Sequence, residues 1–502
     1  MNPTHRATWP TLLAYMHEIK DIDGVLGLLE WEEETYAPDG ARTARGPQVA
    51  TIEALRHRKL TDPQLEALLR EAEPTNEEDA VLIRRLQRHV DRATKTPERL
   101  VKAIAEARSA AMLAWQQARA DSNFALFAPY LKTMLPLLRE KAEALGEPET
   151  PIYDVLLDEY EPEMTTAQLK PVLSDLQQAL VPIVQVLSET APPPHEFATH
   201  HYDDDKQWQF TLRLLKDLGF DFSCGRQDRS AHPFTSTVNE KDVRVTTRIE
   251  TNNLLSGISS TIHECGHALY EQGFASQHHR TYLAEAPSMG IHESQSRLWE
   301  NQVGMSRPFW THYLPILKKQ FPEQLEKIDI DTFWRGINRV KPSMIRVDAD
   351  EVTYNLHIVL RFELELALIN DDLSVDDLPG AWNDKMERLL GIRPRNDAEG
   401  CLQDIHWASG AFGYFPTYTI GNLYAAQLFG AFQRSQTNPA KDFSAGRFRP
   451  LLDWLRKNVH HRGHTASAQK IVADAAGEKL SMRSFVEYLR AKYSEVYRVK
   501  LG

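Results

Sequence analysis

Apolar positions spaced three and four apart, a helical period, recur through most of the first 190 residues. In PTNEEDAVLIRRLQRHVDR, Leu82, Leu86 and Val90 share one stripe, and Thr75 with Glu78 has capping-box spacing at its start. TPERLVKAIAEARSAAMLAWQQARA has Pro97 near its start and sets Leu100, Ile104, Ala107, Ala111 and Trp115 on one face. Such stripes predict core packing or the wall of a groove. ETAPPPHEF, residues 189–197, breaks the period: three consecutive prolines cannot continue a helix, so an extended connector between helices is expected there.

Between 221 and 250 the period changes to two. Val243, Val245, Thr247 and Ile249 alternate with Asp242, Arg244, Thr246 and Arg248, and the β-branched content supports a strand over 242–249. Its backbone is expected to be able to pair with an extended peptide. Helical spacing then returns and persists through FVEYLRAKYSEVYRV. The pattern predicts a mainly α protein with one small sheet inserted before residue 255, and 502 residues can bury a large core as one unit or as two or three domains.

Composition narrows the function classes. With 58 Lys and Arg against 70 Asp and Glu, the net charge of −12 argues against general binding to nucleic acid or anionic membranes. No apolar stretch approaches the roughly 18–20 residues that span a bilayer. MNPTHRATWPTLLAYMHE lacks the basic start and apolar core of a secretion signal. Cys224, Cys265 and Cys401 have no C-x-x-C spacing, so a reduced, cytoplasmic protein is expected.

The chemistry concentrates in TIHECGHALYEQG, residues 261–273. Positions i and i+4 of a helix lie on one face, so His263 and His267 can direct imidazoles at one metal ion. Glu264 is offset by one residue, which suits a base acting on water held at the metal. With 19 histidines in 502 residues, an accidental match is expected roughly 0.05 times per chain, so a catalytic zinc helix is the stronger reading. Ile262, Leu269 and Tyr270 give that helix apolar positions, and the small Gly266 between the histidines admits close packing or a ligand. A catalytic zinc usually takes a third protein ligand. Tyr270 and Gly273 exclude the extended H-E-x-x-H-x-x-G-x-x-H pattern. SMGIHESQSRLWEN offers Glu293 after Gly290, on a second helix that could complete the site by packing antiparallel; His278, His279, Glu285 and His292 compete with it on spacing alone.

Six motifs, in order, carry a family resemblance: HPF at 232–234, DVRVT at 242–246, HECGH at 263–267, HESQ at 292–295, IRVDAD at 345–350 and GCLQDIHW at 400–407. The chain resembles the thermostable carboxypeptidase 1 (carboxypeptidase Taq) family of zinc metallocarboxypeptidases. The resemblance implies a single catalytic unit: a large helical, two-lobed fold with a deep central groove, similar to the neurolysin and angiotensin-converting-enzyme group. In that reading residues 1–190 form a helical part, 221–250 the small β region and 255–420 the metal and substrate site. It implies Glu293 as third ligand, a homodimer, and removal of C-terminal residues with broad specificity, proline disfavoured.

Within that frame Glu264 is the general base. GYFPTYTIGNLY supplies Tyr414, Tyr418 and Tyr424; the resemblance favours Tyr418 as the oxyanion donor, with His406 nearby and Tyr414 on the substrate. An exopeptidase must recognise a free carboxylate, which a planar guanidinium matches, so Arg346 is the leading anchor; an ion pair with Asp348 or Asp350 is its structural alternative. Arg244 is a weaker candidate, because Asp242 and Thr246 share its strand face. His232, before a proline, is expected as a polar contact in the groove. Zinc is the default for a His₂Glu set, with cobalt or manganese as substitutes. The competing activities are an oligopeptidase-type endopeptidase, lacking a carboxylate anchor, and a helical binding protein with a structural zinc.

Overall fold

The computed structural model describes the backbone of residues 3–502, and side chains for residues 8–41 and 44–502. Helices dominate, as the periodicity predicts, and one three-stranded sheet interrupts them. The stripe of Leu82, Leu86 and Val90 is buried on helix Glu77–Lys95. That helix is capped one residue later than its spacing predicts: Asn76 accepts from the Asp79 backbone N–H, and Thr75 instead bonds the Asp79 carboxylate. Either residue type can cap, so sequence alone leaves this register ambiguous. On helix Glu98–Ala120, Leu100, Ala111 and Trp115 are buried, and the Trp115 indole donates to the Leu402 carbonyl at 2.9 Å. The proline run separates helix Thr166–Glu189 from the short turn Glu196–Thr199.

Strands β1 (Gly225–Arg229), β2 (Thr235–Asn239) and β3 (Asp242–Thr247) form the sheet in the order β1-β3-β2, with β1 parallel and β2 antiparallel to β3. The strand predicted over 242–249 is therefore the central one. Both its edges are paired, so its backbone has no edge left for a peptide, which corrects that expectation. Val243 and Val245 are buried in the main core, and Thr247 bonds Ser260 on the helix that follows.

The N-terminal helix Pro3–Thr35 lies against β2. A Cβ at Gly24 would stand 2.3 Å from the Val238 carbonyl oxygen, and one at Gly27 3.1 Å from that of Thr237. Only glycine lets the helix backbone approach the strand so closely. Leu12, Met16 and Ile19 of the same helix belong to a second, smaller core with Leu65, Leu86, Tyr282 and Leu283.

Candidate metal centre

The histidine helix, Leu254–Glu271, is buried along Ile258, Ile262, Cys265 and Leu269, which fixes its rotation. His263 and His267 then project from one face with ring centroids 4.9 Å apart. The glutamate helix, Met289–Arg297, crosses it at Gly266, where a Cβ would lie 2.6 Å from both the Gln295 carbonyl oxygen and Ser296 Cα. That crossing brings Glu293 Oε2 to 3.6 Å from His263 Nε2 and 3.4 Å from His267 Nε2. Among the described residues, His263, His267 and Glu293 form the group whose ligand atoms lie within 4.8 Å of one another. Bonds of about 2.0–2.2 Å to a tetrahedral zinc put ligand atoms about 3.3–3.6 Å apart, so the donor set and its spacing fit a divalent ion.

Each imidazole is oriented from behind. His263 Nδ1 lies 2.8 Å from Glu300 Oε2, and His267 Nδ1 lies 2.6 Å from His292 Nδ1, whose Nε2 is 2.8 Å from Glu271 Oε1. Each carboxylate accepts, so the hydrogen bonds order themselves: His292 donates to Glu271, His267 donates to His292, and His263 donates to Glu300. Both Nε2 atoms are thereby left facing the point between the rings and Glu293. Glu300 sits in a π-helical segment, Leu298–Gly304, that continues the glutamate helix. Arg297 donates to Glu293 at 2.8 Å and to Glu300 at 3.0 Å. Burial alone would raise the Glu293 carboxyl, but Arg297 and the imidazoles hold it well below the usual carboxylate range. Burial opposes charge on His263 too, yet Glu293 and Glu300 raise it to about 9, while burial holds His267 at about 3. A dication between the rings would displace a proton from His263 Nε2, the ring atom that faces Glu293.

Glu264 is 7% exposed. Its Oε2 accepts from Thr235 Oγ1 of β2 at 2.7 Å, and burial raises its pKa. The aromatic side of the site comes from the tyrosine helix, Pro416–Ser435, and the loop before it. The Tyr418 hydroxyl lies 3.3 Å from His406 Nε2, and the Tyr414 and Tyr418 rings meet at 5.4 Å. Burial keeps Tyr418 well above its ordinary pKa, so the phenol retains its proton; burial, with Arg346 and Arg361 opposing Asp404, holds His406 neutral at about 4. Tyr424 points away into the core and is fully buried.

The other sequence candidates sit elsewhere. Glu285 pairs with Lys20 at 2.6 Å, His278 approaches Glu78 at 3.4 Å, and His279 approaches the Phe274 carbonyl at 3.3 Å. Arg346 is 5% exposed and bound to Asp404 through Nε (3.0 Å) and Nη2 (2.8 Å), with Nη1 on the Tyr354 hydroxyl (2.8 Å). Its carboxylate partner is thus Asp404 rather than Asp348, which is exposed, or Asp350, which caps the backbone of Val352 and Thr353. Arg244 engages Asp242 at 2.7 and 2.9 Å, as its strand face predicts, whereas Thr246 bonds Phe234 and Ser230. His232 is exposed in the loop before β2. Sequence reasoning missed Glu300, Glu271, Thr235 and Asp404. Spacing carried a signal for two of them: Glu271 stands four residues after His267, and Glu300 seven after Glu293.

The model of the carboxypeptidase Taq (M32) metallopeptidase family matches residues 11–493. Thermostable carboxypeptidase 1 of Thermus thermophilus is 39% identical, covering 98% of this chain and 100% of its own. Carboxypeptidase 1 of Bacillus subtilis is 38% identical, covering 96% of this chain and 97% of its own. The crystal structure of an M32 carboxypeptidase from Deinococcus radiodurans superposes with a TM-score of 0.96 at 36% identity, over 98% of this chain and 100% of that one. A family model spanning nearly the whole sequence, relatives matched along nearly their full length and an H-E-x-x-H helix with Glu293 beside its histidines lead to one conclusion: the chain belongs to the carboxypeptidase Taq (M32) metallopeptidase family and is a metallocarboxypeptidase.

Proposed function

We propose that the enzyme holds zinc on His263, His267 and Glu293 and removes single residues from peptides with a free C-terminus, with broad specificity and proline disfavoured. The observation that carries this reading is the convergence of two imidazoles and a carboxylate beside a separate buried carboxylate, Glu264. His263, His267 and Glu293 would hold the dication, which when bound would supply Lewis-acid polarisation and make the attacking water more acidic; cobalt or manganese suits the same donors.

Glu264, aimed by Thr235, takes a proton from the attacking water and passes it to the departing amine. Its raised pKa suits the first task, since the carboxylate of a stronger acid would take the proton from water less readily. Tyr418 donates its retained proton as a hydrogen bond to the developing oxyanion, with His406 as the polar neighbour that orients the phenol. Tyr414 packs beside Tyr418 and contacts substrate, and His232 meets the peptide at the rim before β2. A groove between two lobes would carry the peptide to this point, and a cavity of about 600 Å³ bordered by Arg297, Glu300 and Tyr354 opens next to the centre.

Arg346 as carboxylate anchor would act through the two N–H groups that Asp404 and Tyr354 leave over. The Asp404 pair favours a second role for it. Its guanidinium lies 4.9 Å from the Tyr418 ring centroid, and so holds the oxyanion donor in place. Substitution separates the roles: Arg346→Ala raises KM with kcat little changed if the residue is the anchor, and lowers kcat with KM little changed if it positions Tyr418.

The proposal is tested with one peptide in free-acid and amidated forms, together with Glu264→Gln. Release of single residues from the free acid alone, and loss of hydrolysis with zinc retained in Glu264→Gln, are expected. Equal cleavage of both peptides would establish the oligopeptidase-type endopeptidase instead, and an active Glu264→Gln would remove the base. The family resemblance carries the reading to a cytoplasmic homodimer, which cell fractionation and light scattering check.

A further inference from the structure

Beyond the residues placed at the reaction centre, one buried carboxylate joins the two helices that carry it. Glu161 follows helix Ile152–Leu157 and is 2% exposed. Its Oε1 accepts from the Gly290 backbone N–H at 2.5 Å and from Thr417 Oγ1 at 2.9 Å, and Ser288, the N-cap of the glutamate helix, lies beside the carboxylate. The carbonyl of Tyr160 accepts from Met289 N at 2.9 Å, and the Tyr160 ring stands edge-on to Tyr414 at 4.9 Å. Two first-turn N–H groups of the glutamate helix, which have no intrahelical partner, therefore end on residues 160 and 161. The same carboxylate holds the second residue of the tyrosine helix.

The fit is close on both sides. A Cβ at Gly290 would lie 2.7 Å from Glu161 Oε1 and 2.7 Å from Ile420 Cγ2. One turn further along, a Cβ at Gly421 would lie 2.6 Å from Glu293 Cγ. The two helices thus touch backbone to side chain, and Glu161 closes the end of that contact. Burial raises its carboxyl to about 7 against the neighbouring Ser288 and the hydrogen bonds from Thr417 and Gly290, and the positive ends of two helix dipoles also favour the ionised form.

We propose that Glu161 is a positioning residue for the hydrolysis: it fixes the glutamate helix against the tyrosine helix so that Glu293 and Tyr418 face one point. The inference rests on reading Glu293 as a metal ligand and Tyr418 as the oxyanion donor. Glu161→Ala leaves the Gly290 N–H and the Thr417 hydroxyl without their acceptor, whereas Glu161→Gln keeps an acceptor oxygen in place.

The test measures zinc affinity by chelator competition, and kcat and KM at saturating zinc, for wild type, Glu161→Ala, Glu161→Gln and Thr417→Val. Glu161→Ala is expected to weaken zinc binding about 10-fold and lower kcat about 10–100-fold with KM little changed, the scale on which outer contacts act at metal sites. Glu161→Gln should recover most of both losses. Thr417→Val, which removes a single hydroxyl, should lower kcat several-fold and leave zinc affinity intact; it decides the matter if Glu161→Ala does not fold. Zinc affinity and kcat of Glu161→Ala within twofold of wild type would overturn the proposal. So would a Gln variant as impaired as the Ala variant, or an unchanged kcat in Thr417→Val. Tyr418→Phe, assayed alongside, isolates the donor reading: full activity there sinks that assignment, and the zinc affinity of the Glu161 variants still answers for Glu161.

Discussion

Replacing Gly266 by alanine should disable the centre with little loss of fold. The added Cβ would meet the Gln295 carbonyl oxygen and Ser296 Cα at 2.6 Å and the Gln295 carbonyl carbon at 2.9 Å. Those are backbone atoms of the glutamate helix, and none can rotate away. Comfortable carbon contacts need about 3.5–4.0 Å, so the two helices must part by about 1 Å. Overpacking of this kind costs about 1–3 kcal/mol, offset by about 1 kcal/mol because alanine is the better helix former. The net loss of folding stability is therefore at most about 2 kcal/mol. The ligand triangle suffers more, because Glu293 recedes from imidazoles now 3.4 and 3.6 Å away. A 1 Å misplacement can cost about 100-fold, so zinc affinity and kcat are each expected to fall about 10–100-fold. Chelator competition and turnover at saturating zinc measure these two effects, and thermal unfolding of the metal-free protein measures the loss of folding stability. Gly257→Ala on the same helix is the control, since its Cβ meets chiefly the mobile end of Ile249, at 2.8 Å. A Gly266→Ala enzyme with wild-type zinc affinity and turnover within twofold would refute the argument.

Three further outcomes follow from contacts described above. Glu300→Ala strips His263 of its orienting carboxylate and should weaken zinc binding about 10–100-fold in the chelator assay; unchanged affinity would show that Arg297 and the ring packing suffice. Thr235→Val removes the hydroxyl on Glu264 and should lower kcat about 10-fold, the value of a hydrogen bond to a charged group, with zinc content unaltered; equal kcat would detach β2 from the chemistry. His464 is buried with neither ring nitrogen hydrogen-bonded, and burial holds it at about 3. Because its folded pKa is depressed below the ordinary value of about 6.5, the unfolded chain takes up the extra proton first, and stability falls as the pH drops from about 6.5 toward about 3. Linkage gives about 2 kcal/mol lost between pH 7 and pH 5; urea unfolding of His464→Leu should lack that loss, and an unaltered pH dependence would contradict the assignment.

Local spacing announced what is local. The i, i+4 histidines, the buried stripe of Leu82, Leu86 and Val90, and the alternation of β3 all follow from one element's own periodicity. Glu293 stood among several candidates on spacing alone, and family resemblance singled it out. Contacts between distant elements left no such trace: the partner of Arg346 is 58 residues away, and that of Glu285 is 265 residues away on the N-terminal helix. Asp348 and Asp350 were the obvious partners only because they are near in sequence. Likewise, alternation marks β3 as a strand but cannot say that β1 and β2 flank it, since Gly225–Arg229 is polar and short. Gly266 lay between, its smallness visible and its reason hidden until the crossing helix was in view.

The wide π turn after the glutamate helix constrains how the protein can change. From Met289 to Gly304 the chain is one continuous ribbon carrying Glu293, the arginine that braces it and the carboxylate behind His263. Its end anchors outward, with the Gly304 carbonyl accepting from the Trp310 indole at 2.7 Å and that of the next residue, Met305, from Trp334 at 3.1 Å. Excision of a single residue there would turn everything downstream by about 100° relative to Glu293. Gaps are thus forbidden within these sixteen positions, and any attempt to transplant the centre into another helical scaffold must move them as a single cassette.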